Sequence, residues 1–136
     1  MKLALLSDIH ANIQALDACL THARAQGVRR YAILGDLVGY GGDPVAVVER
    51  VMALVAQGAL AVQGNHDAMA VTPPQQVQAQ GQGTARWTHL QLTAEQRGFL
   101  AQLPMTAQLN HCLLVHASAE APERWTYVED ERGAGV

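Results

Sequence analysis

The chain has 136 residues, a length that fits one ordinary domain with a buried core and leaves no room for two. Nine Lys and Arg against twelve Asp and Glu give a formal net charge of −3, so nothing electrostatic calls for nucleic acid or an anionic membrane as partner. Cys19 and Cys112 are too few for a disulfide framework, and no apolar run approaches the ~20 residues that cross a bilayer.

Lys2 is followed only by Leu3 to Leu6 before Ser7 and Asp8 interrupt, which is too short for the apolar region of a secretory signal. The expected compartment is a reduced cytoplasm. Lys2–Ser7 reads as a buried strand. Asn12 is placed to cap a helix in which Ile13, Leu16, Leu20 and Ala23 recur at helical spacing, with Gly27 as its stop. Arg30–Leu34 is a second strand, followed by a glycine-rich loop over 35–42. Asp43-Pro44 is a cap and a first-turn proline, opening a helix to about Ala56. Ala59–Gln63 is a third strand, running into Gly64-Asn65-His66-Asp67. Strands alternating with helices in this way predict a parallel βαβαβ unit.

Beyond it, Thr72-Pro73-Pro74 breaks the pattern, and the Gln/Gly/Ala tract over 75–83 has little to bury and reads as a mobile surface segment. Thr93 and Gln96 form a capping-box pattern for a helix ending near Leu103-Pro104. Thr106–Leu109 and Cys112–His116 predict a hairpin about Asn110-His111. The remainder is polar and offers no further core element.

Polar clusters fall at four strand ends: Asp8 and His10, Asp36, Asn65 with His66 and Asp67, and His116. In a parallel unit such ends share one edge, outside which ligands bind. Asp8 and His10 are two residues apart and point to one side if the strand geometry continues. Carboxylate and amide oxygens mixed with imidazole suit Mn²⁺, Fe or Zn²⁺, and a carboxylate such as Asp36 can bridge two ions.

The fragments DIH, GDLVGYGGD, GNHD and LLVHAS, in this order, resemble the calcineurin-like metallophosphoesterases. The resemblance implies an α/β fold, a sandwich of two β-sheets flanked by helices, with a dinuclear centre. It implies that Asp8 and His10 hold one divalent ion, that Asp36 bridges, and that Asn65 and His116 hold the other. His66 is then the non-ligand histidine that contacts phosphate and assists the leaving group, and the nucleophile is a metal-bridging hydroxide. No arginine follows Asp36 over 37–42, unlike the phosphoprotein phosphatases, so the sequence is more similar to small bacterial and archaeal phosphodiesterase-type members.

The family's G-H-x-H segment has no counterpart after His116. Each ion is left with three protein ligands, and the expectation is a truncated chain with an incomplete second sheet. An unpaired edge near Cys112–His116 would then invite a second copy of the chain to pair.

Each residue also has a simpler reading. Asp8 is a cap for the first helix, Gly39, Gly41 and Gly42 are turn residues, and His66 and His116 are ordinary loop and strand-end histidines. Asp67 fits best as a group that orients a neighbour. His22, His89 and His111 read as surface or turn residues, and Trp87 and Trp125 as packing residues, Trp125 with the alternative of lining a cleft. The expected function is hydrolysis of phosphodiesters or small phosphomonoesters. The alternative is a catalytically impaired protein that binds metal or a partner.

Overall fold

Three short parallel strands frame the molecule in the order β1-β2-β3: β1 (Leu3–Leu6), β2 (Arg30–Ile33) and β3 (Leu60–Ala61). Leu5 faces Ala32 in the first pairing and Ala32 faces Leu60 in the second. This computed structural model describes residues 1–135. The crossovers are α1 (Ile13–Ala25) and α2 (Pro44–Ala56), so the expected βαβαβ unit is present.

Local chemistry explains both helices. Asn12 Oδ1 accepts a hydrogen bond from Ala15 N at 2.9 Å, satisfying one otherwise unpaired donor of the first turn. Leu16, Leu20 and Ala23 then fall on the buried face. Pro44 starts α2, but Asp43 makes no side-chain cap as the sequence had suggested. Its backbone N–H instead donates to Ala11 O at 2.9 Å, tying the start of α2 to the loop after β1. Val47, Val48 and Val51 of α2 pack with Leu16, Leu20 and Ile33 as the main core. Each such side chain contributes roughly 1.5–3 kcal/mol by leaving water.

The hairpin forms as expected from β4 (Thr106–Leu109) and β5 (Cys112–Val115), with Leu109 opposite Cys112. Leu114 packs with Ala32 and Val62 in a second, smaller core that Leu60, Ala107 and Leu109 join. The result is the expected mixed α/β architecture, a parallel sheet and a small antiparallel one flanked by helices. Among the described residues β5 pairs only with β4.

One strand differs from expectation. β1 is an edge strand and is not buried: Leu3 is 36% and Leu5 56% exposed. The small sheet covers β2 and β3 but stops short of these two side chains, while Leu6 packs into the main core.

Besides the short α6 described below, two helices have no counterpart in the sequence reading: α3 (Asn65–Val71) and α4 (Ala85–Gln91). His89 is half-buried, and its Nδ1–H donates to Ala70 O at 2.7 Å, joining α4 to α3. It is therefore no surface residue, unlike His22 and His111, which are exposed. Helix α5 (Ala94–Gln102) opens on the predicted capping box, with Gln96 N donating to Thr93 Oγ1 at 3.1 Å and Thr93 N to Gln96 Oε1 at 2.9 Å. The glutamine tract is partly ordered against the fold: a turn at Gln80–Gln82 brings Gly81 against Tyr40 and His66, and Thr84 Oγ1 accepts from Tyr40 N at 3.0 Å. After a turn at Pro122–Arg124, a last short helix, α6 (Glu131–Ala134), buries nothing.

The burial contrast is testable by chemical denaturation. Leu20→Ala, in the core at 1% exposure, should cost about 2–5 kcal/mol. Leu5→Ala, on the open face of β1, should cost about 1 kcal/mol or less. Equal losses would contradict the assignment of β1 as an open edge.

Candidate metal and phosphate site

The loops that leave β1 and β2 run side by side. Asp8 N donates to Gly35 O at 3.1 Å, His10 N to Asp36 O at 3.0 Å and Ala11 N to Leu37 O at 2.8 Å. Asp8, His10, Ala11 and Asp36 all take left-handed backbone, with φ of 56°, 48°, 53° and 54°. Strand geometry therefore does not continue through Asp8 and His10. Their side chains converge because both residues turn left-handed, a conformation that Asp and His tolerate better than most. Asp8 does not cap α1, since Asn12 does.

Asp67 holds this arrangement in place. It is fully buried, and its two oxygens accept four backbone N–H groups: Asp36 at 2.9 Å, Leu37 at 2.9 Å, Val38 at 3.3 Å and Gly64 at 2.9 Å. The first three belong to the loop that carries Asp36 and the fourth to the residue that starts α3. Burial pushes the Asp67 carboxyl up to about 7 against the opposing pull of these donors. The loop and helix approach so closely that a Cβ on Gly64 would strike Asp36 N and Oδ1, so only glycine fits there.

Asp36 is the hub. Its Oδ1 accepts from His66 N at 2.9 Å. Its Oδ2 lies 3.6 Å from His10 Nε2 and 3.5 Å from His116 Nε2, between the two rings. Asp8 Oδ1 is 3.6 Å from His10 Nε2. Both rings are aimed from behind. His10 Nδ1–H donates to Val38 O at 3.0 Å and His116 Nδ1–H to Leu34 O at 2.7 Å. A carbonyl can only accept, so each bond fixes the tautomer and presents Nε2 inward. His116 Nε2 also lies 3.1 Å from Asn65 Oδ1. Asp8, Asp36 and His116 each offer a ligand-type atom within 4.8 Å of the others. His66 sits beside them, 8% exposed, its ring 5.1 Å from His10 and 4.7 Å from Tyr40.

All six residues singled out in the sequence thus meet at one edge. Sequence reasoning missed Tyr40, which packs edge-on to His10 at 4.9 Å, and Tyr127, which lines the same cavity as Asp8, Asp36 and His116. Trp125 lines it too, as its cleft reading anticipated, 6.2 Å from the His116 ring. Tyr40 lies inside the GDLVGYGGD fragment without being singled out there, and no local signal marks Tyr127.

The electrostatics favour a cation. Burial pushes the Asp36 carboxyl up, but the His116 contact and charge and the His66 N–H outweigh it, and its net shift is downward. The Asp36 carboxylate raises His116 to about 9, against burial. His66 shifts the other way, lowered chiefly by burial although Asp36 opposes this. A site that retains a proton on His116 well above the usual imidazole range suits a positive charge. Two carboxylates, an amide oxygen and two inward Nε2 atoms are donors that fit Mn²⁺, Fe or Zn²⁺.

The raised His116 value carries a stability consequence in metal-free protein. The folded chain holds this proton more tightly than the unfolded one, so the contribution is fully present below pH 6.5 and lost as pH rises through about 9. Thermal melts in chelator from about pH 7 to about pH 10 should show a falling midpoint, and His116→Gln should flatten the slope. A slope unchanged in that variant would contradict the reading.

The fold is shared with known proteins. A metallophosphoesterase structure from Sphaerobacter thermophilus superposes with a TM-score of 0.81 at 35% identity, over 98% of this chain and 54% of that one. A candidate diadenosine tetraphosphatase gives 0.64 at 26% identity, over 85% of this chain and 50% of that one. An uncharacterised protein of Methanocaldococcus jannaschii is 33% identical over 132 residues, 93% of this chain and 53% of that protein. The chain thus spans about half the length of the relatives it matches. Residues 1–134 match the calcineurin-like phosphoesterase superfamily domain, and the chain belongs to that superfamily.

Proposed function

We propose that the protein is a metal-dependent phosphoesterase acting on phosphodiesters or small phosphomonoesters at a centre of two divalent ions. The observation that carries this reading is the position of Asp36 Oδ2, 3.6 Å from His10 Nε2 and 3.5 Å from His116 Nε2, where one carboxylate serves two donor sets. Asp8, His10 and Asp36 form the first set, and Asp36, Asn65 and His116 the second. Mn²⁺, Fe and Zn²⁺ all suit these donors.

Bound divalent ions supply Lewis-acid charge to phosphoryl oxygens and acidify water. The chain's own residues do the rest. Asp67 and the two backbone carbonyls behind His10 and His116 hold the donors in place, so little reorganisation accompanies binding. His66 stands outside the donor sets with its backbone fixed on Asp36 Oδ1, and its imidazole is the group left to pass a proton to the leaving oxygen. Among the described residues no Lys or Arg lines the cavity that Asp8, Asp36 and His116 share, so grip on the phosphate falls to the ions, with His66 in the adjoining cavity as the nearby imidazole. The partner is a small phosphorylated molecule, and the compartment a reduced cytoplasm, where the exposed Cys19 and Cys112 stay free.

Three protein donors per ion among the described residues also allow a second reading, metal binding without turnover. One set of variants separates the two. Wild type loaded with Mn²⁺ should hydrolyse bis(4-nitrophenyl) phosphate. Asp36→Asn should lose metal from both positions by elemental analysis, whereas His66→Ala should keep its metal and lose activity by ~10²–10⁴-fold. Full metal content in Asp36→Asn would sink the shared-carboxylate assignment. Metal loss in His66→Ala would make His66 a ligand.

A further inference from the structure

A second cavity of about 480 Å³ adjoins the polar one, within the usual size range for small-molecule sites. The two share Asn65, Trp125 and Tyr127 as a common wall. His66 lines the larger cavity, Tyr40 and Met69 complete its sides, and Gly81 closes the rim so tightly that a Cβ there would strike Tyr40 Oη. Among the described residues, no Asp, Glu, Lys or Arg lines it.

Its walls are aromatic in a chain with few aromatics. The sequence has one Phe, two Trp and three Tyr, and three of these six face this one cavity. Core packing does not explain them, since Tyr40 is 56% and Tyr127 78% exposed. Trp125 is held in left-handed backbone, φ 54° and ψ 35°, at the end of the Pro122–Arg124 turn. Exposed rings around a neutral space beside a phosphate site offer stacking faces to a flat group, and nothing to extra charge.

Resting on the phosphoesterase reading of the adjoining site, we infer that this cavity takes the flat aromatic group of the substrate, an aryl ring or a nucleobase, stacked by Trp125, Tyr127 and Tyr40. The phosphate then lies over Asp36 and His116, with His66 at the junction. The uncharged lining suits an ester with one phosphate better than a polyphosphate chain, because no side-chain cation is present to neutralise further anionic groups.

The test is calorimetric titration of Mn²⁺-loaded protein with phenylphosphonate, propylphosphonate and the phosphonate analogue of adenosine 5′-monophosphate, in which carbon replaces the ester oxygen. The phosphonates share a head group whose C–P bond a phosphoesterase leaves intact. Phenylphosphonate should bind about tenfold tighter than propylphosphonate, the worth of a stacking contact. The ratio should collapse toward one in Trp125→Ala and in Tyr127→Ala, the latter an exposed position with little bearing on folding. The adenosine phosphonate binding tighter than phenylphosphonate assigns the cavity to a nucleobase, and weaker binding to a simple aryl ring. Equal affinities of the two phosphonates, or a preference untouched by both variants, would overturn the inference even if bis(4-nitrophenyl) phosphate is hydrolysed. An aromatic preference without any hydrolysis would support the cavity and reject the activity. Binding of none of the three would overturn the cavity inference, and would overturn the phosphoesterase reading only if bis(4-nitrophenyl) phosphate is not hydrolysed either.

Discussion

The site depends on one buried carboxylate that touches none of the proposed ions. Asp67 accepts backbone N–H groups from Asp36, Leu37 and Val38 on one side and from Gly64 on the other. It thereby locks the loop after β2 to the helix that carries Asn65 and His66. A carboxylate is needed because four donors converge and an amide would turn two hydrogens toward them. Its burial has an electrostatic cost, visible in a carboxyl raised to about 7, and the fold retains it for the register it sets.

From that register the other positions follow. Asp36 lies between two imidazoles because its loop is fixed from below by Asp67 and from the side by the hydrogen bonds to the Asp8–Ala11 segment. Val38 O and Leu34 O, on either side of Asp36 in sequence, are the acceptors that aim His10 and His116. One five-residue stretch, Leu34 to Val38, therefore supplies the central carboxylate and orients both rings that flank it. The left-handed residues cluster there as well, storing strain where the surrounding hydrogen bonds can hold it. The carboxylate–imidazole cluster is held in place by these hydrogen bonds. The larger cavity, by contrast, is walled by exposed side chains that have freedom to fit a ligand.

Much of this was legible in the sequence because the signals are local. Asn12, Gly27, Pro44 and the Thr93–Gln96 box mark helix ends by hydrogen bonding and sterics within a few residues. The hairpin about Asn110-His111 and the four polar strand ends are equally local. What could not be read depends on distant contacts. α3 and α4 have seven residues each, too few for a helical period to declare itself, and they stand because they pack on each other, α3 also on α5 and α4 also on α2. The exposure of Leu3 and Leu5 is set by how far the small sheet reaches, which nothing within β1 records. Asp8 and His10 converge by a backbone turn that simple alternation does not describe. Asp67 was read as an orienting group, but its four partners lie in segments about thirty residues away and in its own first turn.

The most direct test of this account is the Mn²⁺ affinity of Asp67→Asn, measured by calorimetry alongside circular dichroism to confirm that the variant is folded. Asp67 lies outside both proposed donor sets. If it positions Asp36 and Asn65, the folded variant should bind Mn²⁺ about 10- to 100-fold more weakly than wild type. An unchanged affinity in a folded variant would show that the donors hold their places without it, and would contradict the account.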